Sequence, residues 1–160
     1  KTHEEARQAY LRYAMIYHPD RVGDESLKAE YTKTFQEILT QYEKFKAAEE
    51  KLSAALEGRA IDLVLSDMSP NISGIAMSDQ ARAMHLAELA LEFAVKHLKP
   101  GGNFLVKVFQ GSGFQEFFKE MQARFEKVST RKPEASRGRS NELYLLGSKC
   151  RTAPRIPGGG

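Results

Sequence analysis

The hydrophobic period of this chain changes at Gly58, and that change constrains its fold more than any other feature. Before Gly58, apolar and aromatic residues recur every three or four positions. Ala6, Tyr10, Tyr13, Ala14 and Tyr17 form one stripe, and Leu27, Tyr31, Phe35, Ile38, Tyr42 and Phe45 form another. This spacing marks amphipathic helices. Thr2 and Glu5 can form a capping box, and Pro19 with Gly23 separates the stripes. Two antiparallel helices with facing stripes make a hairpin. From Lys44 to Glu57 large apolar residues thin out, which predicts a fraying helix or a linker.

Beyond Gly58, short apolar runs alternate with helical spacing. Ile61 to Leu65 reads as a buried strand, and Ser78 is placed to cap a long helix reaching about Lys99. That helix presents Met84, Ala87, Leu91, Ala94 and Leu98 on one side, and Pro100-Gly101-Gly102 should end it. Phe104 to Phe109 is the next strand. Phe114, Phe117, Phe118, Met121 and Phe125 then recur as the core stripe of a further helix. Strands near Lys127–Arg131 and Leu143–Leu146 flank a basic loop. The order β-α-β-α-β-β predicts an α/β fold: an N-terminal helical hairpin joined to a small four-stranded mixed sheet, mostly parallel, with flanking helices. Three units are expected: residues 1–57, residues 58–150 and a disordered tail over 151–160.

Charge supports that division. Residues 1–57 hold 9 Lys+Arg against 11 Asp+Glu, whereas residues 58–160 hold 15 against 10. The late cluster of cations suits either a polyanion partner or a solvated basic face. Hydrophobic residues at 41% and charged residues at 28% fit a globular chain. No apolar run approaches the roughly 20 residues of a membrane span, and no secretory signal is visible. Cys150, the single cysteine, excludes an internal disulfide and fits a reducing compartment, so a cytoplasmic location is expected. The first residue, Lys1, is not Met, which raises the expectation of a fragment.

His18-Pro19-Asp20 falls between the two helical stripes. Pro19 fixes its own φ and disfavours a helical His18, so a break is expected there. With Ala6 to Arg21 around it and Phe35, Ile38 and Tyr42 beyond, the stretch over residues 3–46 resembles the J-domain of DnaJ-type co-chaperones. The resemblance implies that His18, Pro19, Asp20, Arg7 and Arg12 engage a DnaK-type chaperone and stimulate its ATPase. Gln8, Leu11 and Ile16 stand where family members are often basic, and the short first helix of a J-domain has no counterpart.

Asp67 stands at the carboxyl end of the Ile61 strand, the edge where open α/β sheets hold ligands. Lys107 lies inside the next apolar strand, where a buried cation needs carboxylate partners, and Asp67 and Glu142 are placed to serve. A structural ion pair is the alternative on residue types alone. The segments Asp62 to Gly74, Leu98 to Gly102, Val106 to Gly111, Arg131-Lys132-Pro133 and Ser140 to Tyr144 resemble the FtsJ/RrmJ family of RNA ribose 2′-O-methyltransferases, from about Ile61 to Ser148. That resemblance implies S-adenosylmethionine as cofactor and a uridine ribose of large-subunit ribosomal RNA as substrate. It maps three members of a Lys-Asp-Lys-Glu tetrad onto Asp67, Lys107 and Glu142. Lys107 would be the base or the hydroxyl-orienting group, with Asp67 also against the methyl donor. Arg131, Lys132, Arg137 and Arg139 would contact RNA phosphates.

The family's glycine-rich donor loop and first tetrad lysine have no counterpart before Gly58. The chain therefore reads as the back half of a methyltransferase joined to most of a J-domain, expected to be inactive by itself. Three functional classes stay open: a methyltransferase fragment that binds RNA, a co-chaperone module, and an artificial chimera with no activity. The Ile61 strand should keep an unpaired edge, inviting self-association unless the tyrosine-striped helices cover it. His85 and His97 read as surface or satisfied polar residues, Cys150 as inert, and Gly111-Ser112-Gly113 as a strand–helix turn rather than a phosphate loop.

Overall fold

The computed structural model describes Gly23 and residues 25–70, 76–134 and 141–152. The first helical stripe, the His18-Pro19-Asp20 turn and residues 153–160 of the tail lie outside the described residues. Among the described residues seven helices and strands follow in order: α1 (Glu25–Leu56), β1 (Ile61–Ser66), α2 (Ala76–His97), β2 (Leu98–Phe109), α3 (Phe114–Arg124), β3 (Phe125–Arg131) and β4 (Glu142–Cys150).

Helix α1 is one unbroken run of 32 residues. The stretch from Lys44 to Leu56, expected to fray, is helical because polar contacts hold it to α2. Lys96 donates to Glu49 at 2.9 Å, and Ser53 lies 3.2 Å from His97. Further up, Thr34 donates to Ser78 at 2.9 Å, Arg82 pairs with Glu37, and His85 Nδ1 meets Gln41 at 3.1 Å. Partner numbers rise together along both helices, so α1 and α2 run parallel. Ser78, expected as a helix cap, is instead a buried contact between helices. Glu57 and Gly58, at φ of 50° and 76°, turn the chain after α1 into β1. This left-handed turn is the usual way a helix stops.

Helix α2 is enclosed on two sides. Met84, Ala87, Leu91 and Ala94 join the sheet's core, while Ala81, Arg82 and His85 meet α1. At 100° per residue these sets lie on opposite sides of the helix. Thus α1 sits on the side of α2 turned away from the sheet.

The sheet order is β1-β2-β4-β3, with β1 parallel to β2 and both other pairs antiparallel. The four-stranded sheet is mixed, as expected, although only one of its three strand pairs is parallel rather than most of them. The connection from β3 to β4 carries no α-helix among its described residues, and β4 returns antiparallel between β2 and β3. Strand β2 is also longer than expected, at 12 residues. Pro100, Gly101 and Gly102 do not precede it; they form an irregularity within it, between the pairs Ile61–Leu98 and Leu63–Asn103. A Cβ on Gly102 would lie 3.0 Å from the Lys99 carbonyl oxygen and 3.1 Å from that of Asp62, so a side chain there would have to push two backbone carbonyls aside.

The core lies on one face of the sheet. Phe104, Val106 and Val108 of β2 and Leu143 and Leu145 of β4 meet α2 and α3 there. The expected phenylalanine stripe supplies Phe117, Met121 and Phe125, though Phe125 opens β3 instead of ending the helix. Its ring lies over Gly147, where a Cβ would be 2.7 Å from ring carbons.

Candidate active site

Three strand ends converge because of the sheet's register. Strand β1 stops at Ser66, opposite Val106, so Asp67 emerges beside Lys107. Strand β4 runs antiparallel and therefore begins where β2 finishes, pairing Phe109 with Glu142 and Lys107 with Tyr144. Strand pleat points Lys107 and Tyr144 to the face opposite Val106, Leu143 and Leu145.

Lys107 Nζ lies 2.8 Å from Asp67 Oδ1 and 3.5 Å from Glu142 Oε2, and it donates to Ser69 Oγ at 3.1 Å. Its side chain is only 13% exposed, whereas Asp67 is 68% exposed and Glu142 26%. Tyr144 OH donates to Asp67 Oδ1 at 2.9 Å. The structure thus brings together Asp67, Lys107 and Glu142. It adds Tyr144 and Ser69, which sequence reasoning missed. Tyr144 follows Glu142 by two residues in one strand, so alternation alone puts both on one face.

The electrostatics are mutual. The hydrogen bonds from Lys107 and Tyr144 hold the Asp67 carboxyl below its ordinary 3.8. The bond to Asp67, with the charge of Glu142, holds the Lys107 ammonium above its ordinary 10.5, outweighing partial burial. The same carboxylate raises the Tyr144 phenol. An ammonium so flanked is a fixed cation and hydrogen-bond donor at neutral pH. Of the two roles expected for Lys107, orienting a hydroxyl suits this geometry better than accepting a proton.

A pH prediction follows. A lowered carboxylate stabilises the fold above its ordinary value and loses that contribution as pH falls through the folded value. A raised ammonium stabilises below 10.5 and loses it as pH climbs through its higher folded value. The pair should therefore contribute evenly from about pH 5 to 9. Lysine side-chain carbon NMR should give Lys107 a midpoint above 10.5. A midpoint below that value would show that the carboxylates do not hold its proton.

The basic residues divide. Arg131 lies opposite Tyr144 in the β3–β4 register. Lys132 is half-buried and donates to the Glu142 carbonyl at 3.2 Å. The loop carrying Arg137 and Arg139 thus leaves and re-enters beside the cluster, although both arginines lie outside the described residues. So do Arg7, Arg12, His18, Pro19 and Asp20.

The remaining expectations fare unevenly. His85 is fully buried with its Nδ1 on Gln41, the partnered alternative of the two expected. His97 meets Ser53 and packs against Phe93 with ring centroids 4.4 Å apart and planes tilted by 43°, and burial lowers the pKa of its imidazole. Cys150 is buried and its thiol is raised by desolvation, which fits an inert residue. Gly111-Ser112-Gly113 is the expected strand–helix turn, with Gln80 donating to the carbonyls of Phe109 and Ser112 at 2.9 and 3.1 Å.

Comparison with known proteins gives consistent matches. The family model described as FtsJ-like methyltransferase matches residues 28–150. The ribosomal RNA large subunit methyltransferase E of Nitrosospira multiformis is 65% identical over 97 residues, covering 61% of this chain and 47% of that protein. Its counterpart in Chromobacterium violaceum is 66% identical over 92 residues, covering 58% and 45%. The chain therefore spans about half the length of the curated relatives it matches. A crystal structure of a ribosomal RNA methyltransferase from Plasmodium falciparum superimposes with a TM-score of 0.57 at 25% identity, covering 68% of this chain and 56% of that one.

Proposed function

The chain belongs to the FtsJ-like methyltransferase family, and from that membership we propose that it is part of an S-adenosylmethionine-dependent enzyme that methylates a ribose 2′-hydroxyl in large-subunit ribosomal RNA. One observation carries the reading: Lys107 is fixed between Asp67 and Glu142 at the carboxyl end of parallel strands, beside a basic loop. Paired with those carboxylates, the Lys107 ammonium donates a hydrogen bond to the ribose oxygen and orients its lone pair, and the hydroxyl proton passes to water as the oxygen takes the methyl group. Glu142 and Asp67 restrict where the ammonium can point, and Tyr144 restricts Asp67. The exposed carboxylate of Asp67 suits a cationic sulfonium, so Asp67 is the described residue that would meet the methyl donor, which supplies the methyl group when bound.

The resemblance implies a donor glycine loop and a first lysine that the reading of residues 1–57 does not find, so methyl transfer is proposed to need them supplied. The test is a hybrid in which residues 61–150 replace the matching stretch of the Nitrosospira multiformis protein. Transfer of tritiated methyl to ribosomal RNA, lost on Lys107→Met, is the expected result. An active hybrid indifferent to Lys107 would overturn the assignment.

RNA is proposed to lie along the loop of Arg131, Lys132, Arg137 and Arg139. Four phosphate contacts to a single strand give a slope of about −3 in log affinity against log salt. Fluorescence anisotropy with a ribosomal RNA fragment should show this slope, and charge reversal at Arg137 and Arg139 should halve it. Salt-independent binding would remove the loop from the interface.

The division into residues 1–57, 58–150 and a tail belongs to the same proposal, as does a cytoplasmic site of action, whereas the family match runs across Gly58 and does not favour a junction of unlike parts there. The described helices bear only on the bilayer: none is long and apolar enough to cross it. The co-chaperone reading rests on His18, Pro19, Asp20, Arg7 and Arg12 alone, and nothing among the described residues favours it.

A further inference from the structure

An ammonium carries three N–H donors and no acceptor. Around Lys107 Nζ stand three acceptors: Asp67 Oδ1 at 2.8 Å, Ser69 Oγ at 3.1 Å and Glu142 Oε2 at 3.5 Å. A ribose oxygen that takes a hydrogen bond from this ammonium must therefore replace one of the three. The acceptors differ in what they lose. Asp67 and Glu142 are anions, and Glu142 is half-buried, so parting either from a cation costs more than parting a neutral hydroxyl. Asp67 is held by Tyr144 as well, at 2.9 Å. Ser69 is neutral and exposed, so its released hydroxyl is solvated at once. It also stands three residues beyond Ser66, the end of β1, and its side chain turns away without breaking a pairing of the sheet.

We propose that Ser69 is a positioning residue whose Oγ holds the place of the ribose 2′-oxygen, taking the third N–H of Lys107 until an RNA hydroxyl displaces it. The inference rests on the methyltransferase reading above and deepens it. Both groups are hydroxyl oxygens accepting from one N–H, so the exchange keeps the number of hydrogen bonds on Lys107 unchanged. Asp67 and Glu142 stay paired throughout, and the ammonium keeps its direction. Before RNA arrives, Ser69 opposes rotation of the ammonium toward solvent. A deoxyribose brings no hydroxyl at that carbon and leaves Ser69 where it is. The exchange therefore reads the 2′-hydroxyl, the group that separates RNA from DNA. A tethered serine competes with that hydroxyl more strongly than free water does, so removing it should favour RNA alone.

The test measures binding of the full chain to a single-stranded ribosomal RNA fragment, and to the same sequence in deoxyribose, by fluorescence anisotropy. Ser69→Ala should tighten the RNA complex about 2- to 10-fold, the worth of one net hydrogen bond, and leave the DNA complex unchanged. Ser69→Thr keeps a hydroxyl and should restore the original RNA affinity. Because Ser69 is exposed and outside the sheet, circular dichroism should be the same for all three proteins. In the covalent hybrid, Ser69→Ala should lower KM for RNA by a similar factor at unchanged kcat, since the serine has already left when the methyl group moves.

Equal changes for RNA and DNA, a weaker RNA complex, or no change in either would each overturn the proposal. So would a fall in kcat for Ser69→Ala, which would mean that the serine holds the ammonium through the reaction. The methyltransferase reading fails separately. An inactive hybrid alongside RNA-selective tightening in the full chain removes that reading and keeps the exchange at Lys107, whereas an active hybrid that needs Lys107 and ignores Ser69→Ala does the reverse.

Discussion

In the covalent hybrid carrying residues 61–150, Lys107→Met is expected to lower methyl transfer to ribosomal RNA about 10²- to 10³-fold, the range for losing one preorganised hydrogen-bond donor at a reacting oxygen. Methionine keeps much of the length of lysine and removes both its charge and its donors. Asp67 then loses a partner at 2.8 Å and keeps only the Tyr144 hydroxyl at 2.9 Å. Lys107→Arg retains a cation but moves the donors, so it should restore part of the rate. Because Lys107 sits on the sheet face opposite the core, the unfolding temperature should change little. That separates a loss of chemistry from a loss of fold. The rate should also show no inflection from Lys107 between about pH 6 and 9, since its carboxylate partners hold the proton on. A rate climbing with pH through that range, and lost with Lys107, would make the lysine a base and reverse its assigned role.

Phe104→Ala should have the largest effect on stability. Phe104 is completely buried on β2, and its ring stacks on Phe125 with centroids 6.1 Å apart. Around it lie β1, β4 and the sheet side of α2, all rigid elements that cannot collapse into the space left behind. Such a truncation costs about 3–5 kcal/mol. For a chain of this size that lowers the melting temperature by about 6–20 °C. Thermal and denaturant unfolding of the full chain would measure it, with the denaturant slope unchanged. By contrast Leu65→Ala, at an exposed position, should stay within about 0.5 kcal/mol. A Phe104→Ala loss below 1 kcal/mol would mean that the core is not organised around this ring.

The candidate cluster was legible because its residue types are chemically demanding. A lysine inside the apolar run Leu105–Phe109 must find anions, and Asp67 and Glu142 stand at strand ends where the topology can deliver them. Tyr144 was legible in principle, two residues from Glu142 on the same strand, but a tyrosine in a strand is equally well explained by packing. Other features left no local signal. Helix α1 runs through Lys44–Leu56 because Glu49 and Ser53 find Lys96 and His97 from a helix more than 40 positions away. Buried Arg82, held by Glu37 and Asp79, reads in sequence as an ordinary surface arginine. Pro100-Gly101-Gly102 obeyed the local rule for a break yet became an irregularity inside β2, because pairing with β1 on both sides of it outweighed the local preference.

The sequence by itself determined the elements, the change of period at Gly58, the core stripes of α2 and α3, and the identity of Asp67, Lys107 and Glu142 as groups that need one another. Those properties follow from side-chain spacing and from the cost of burying charge, both local to the chain. The tertiary structure alone decided that β4 returns antiparallel between β2 and β3, that α1 lies against α2 and away from the sheet, and that Leu63 and Leu65 stay open to solvent. Each depends on which distant surfaces meet. Strand order and layer order are set by the burial of whole faces, and a one-dimensional pattern gives each face's character without naming its partner.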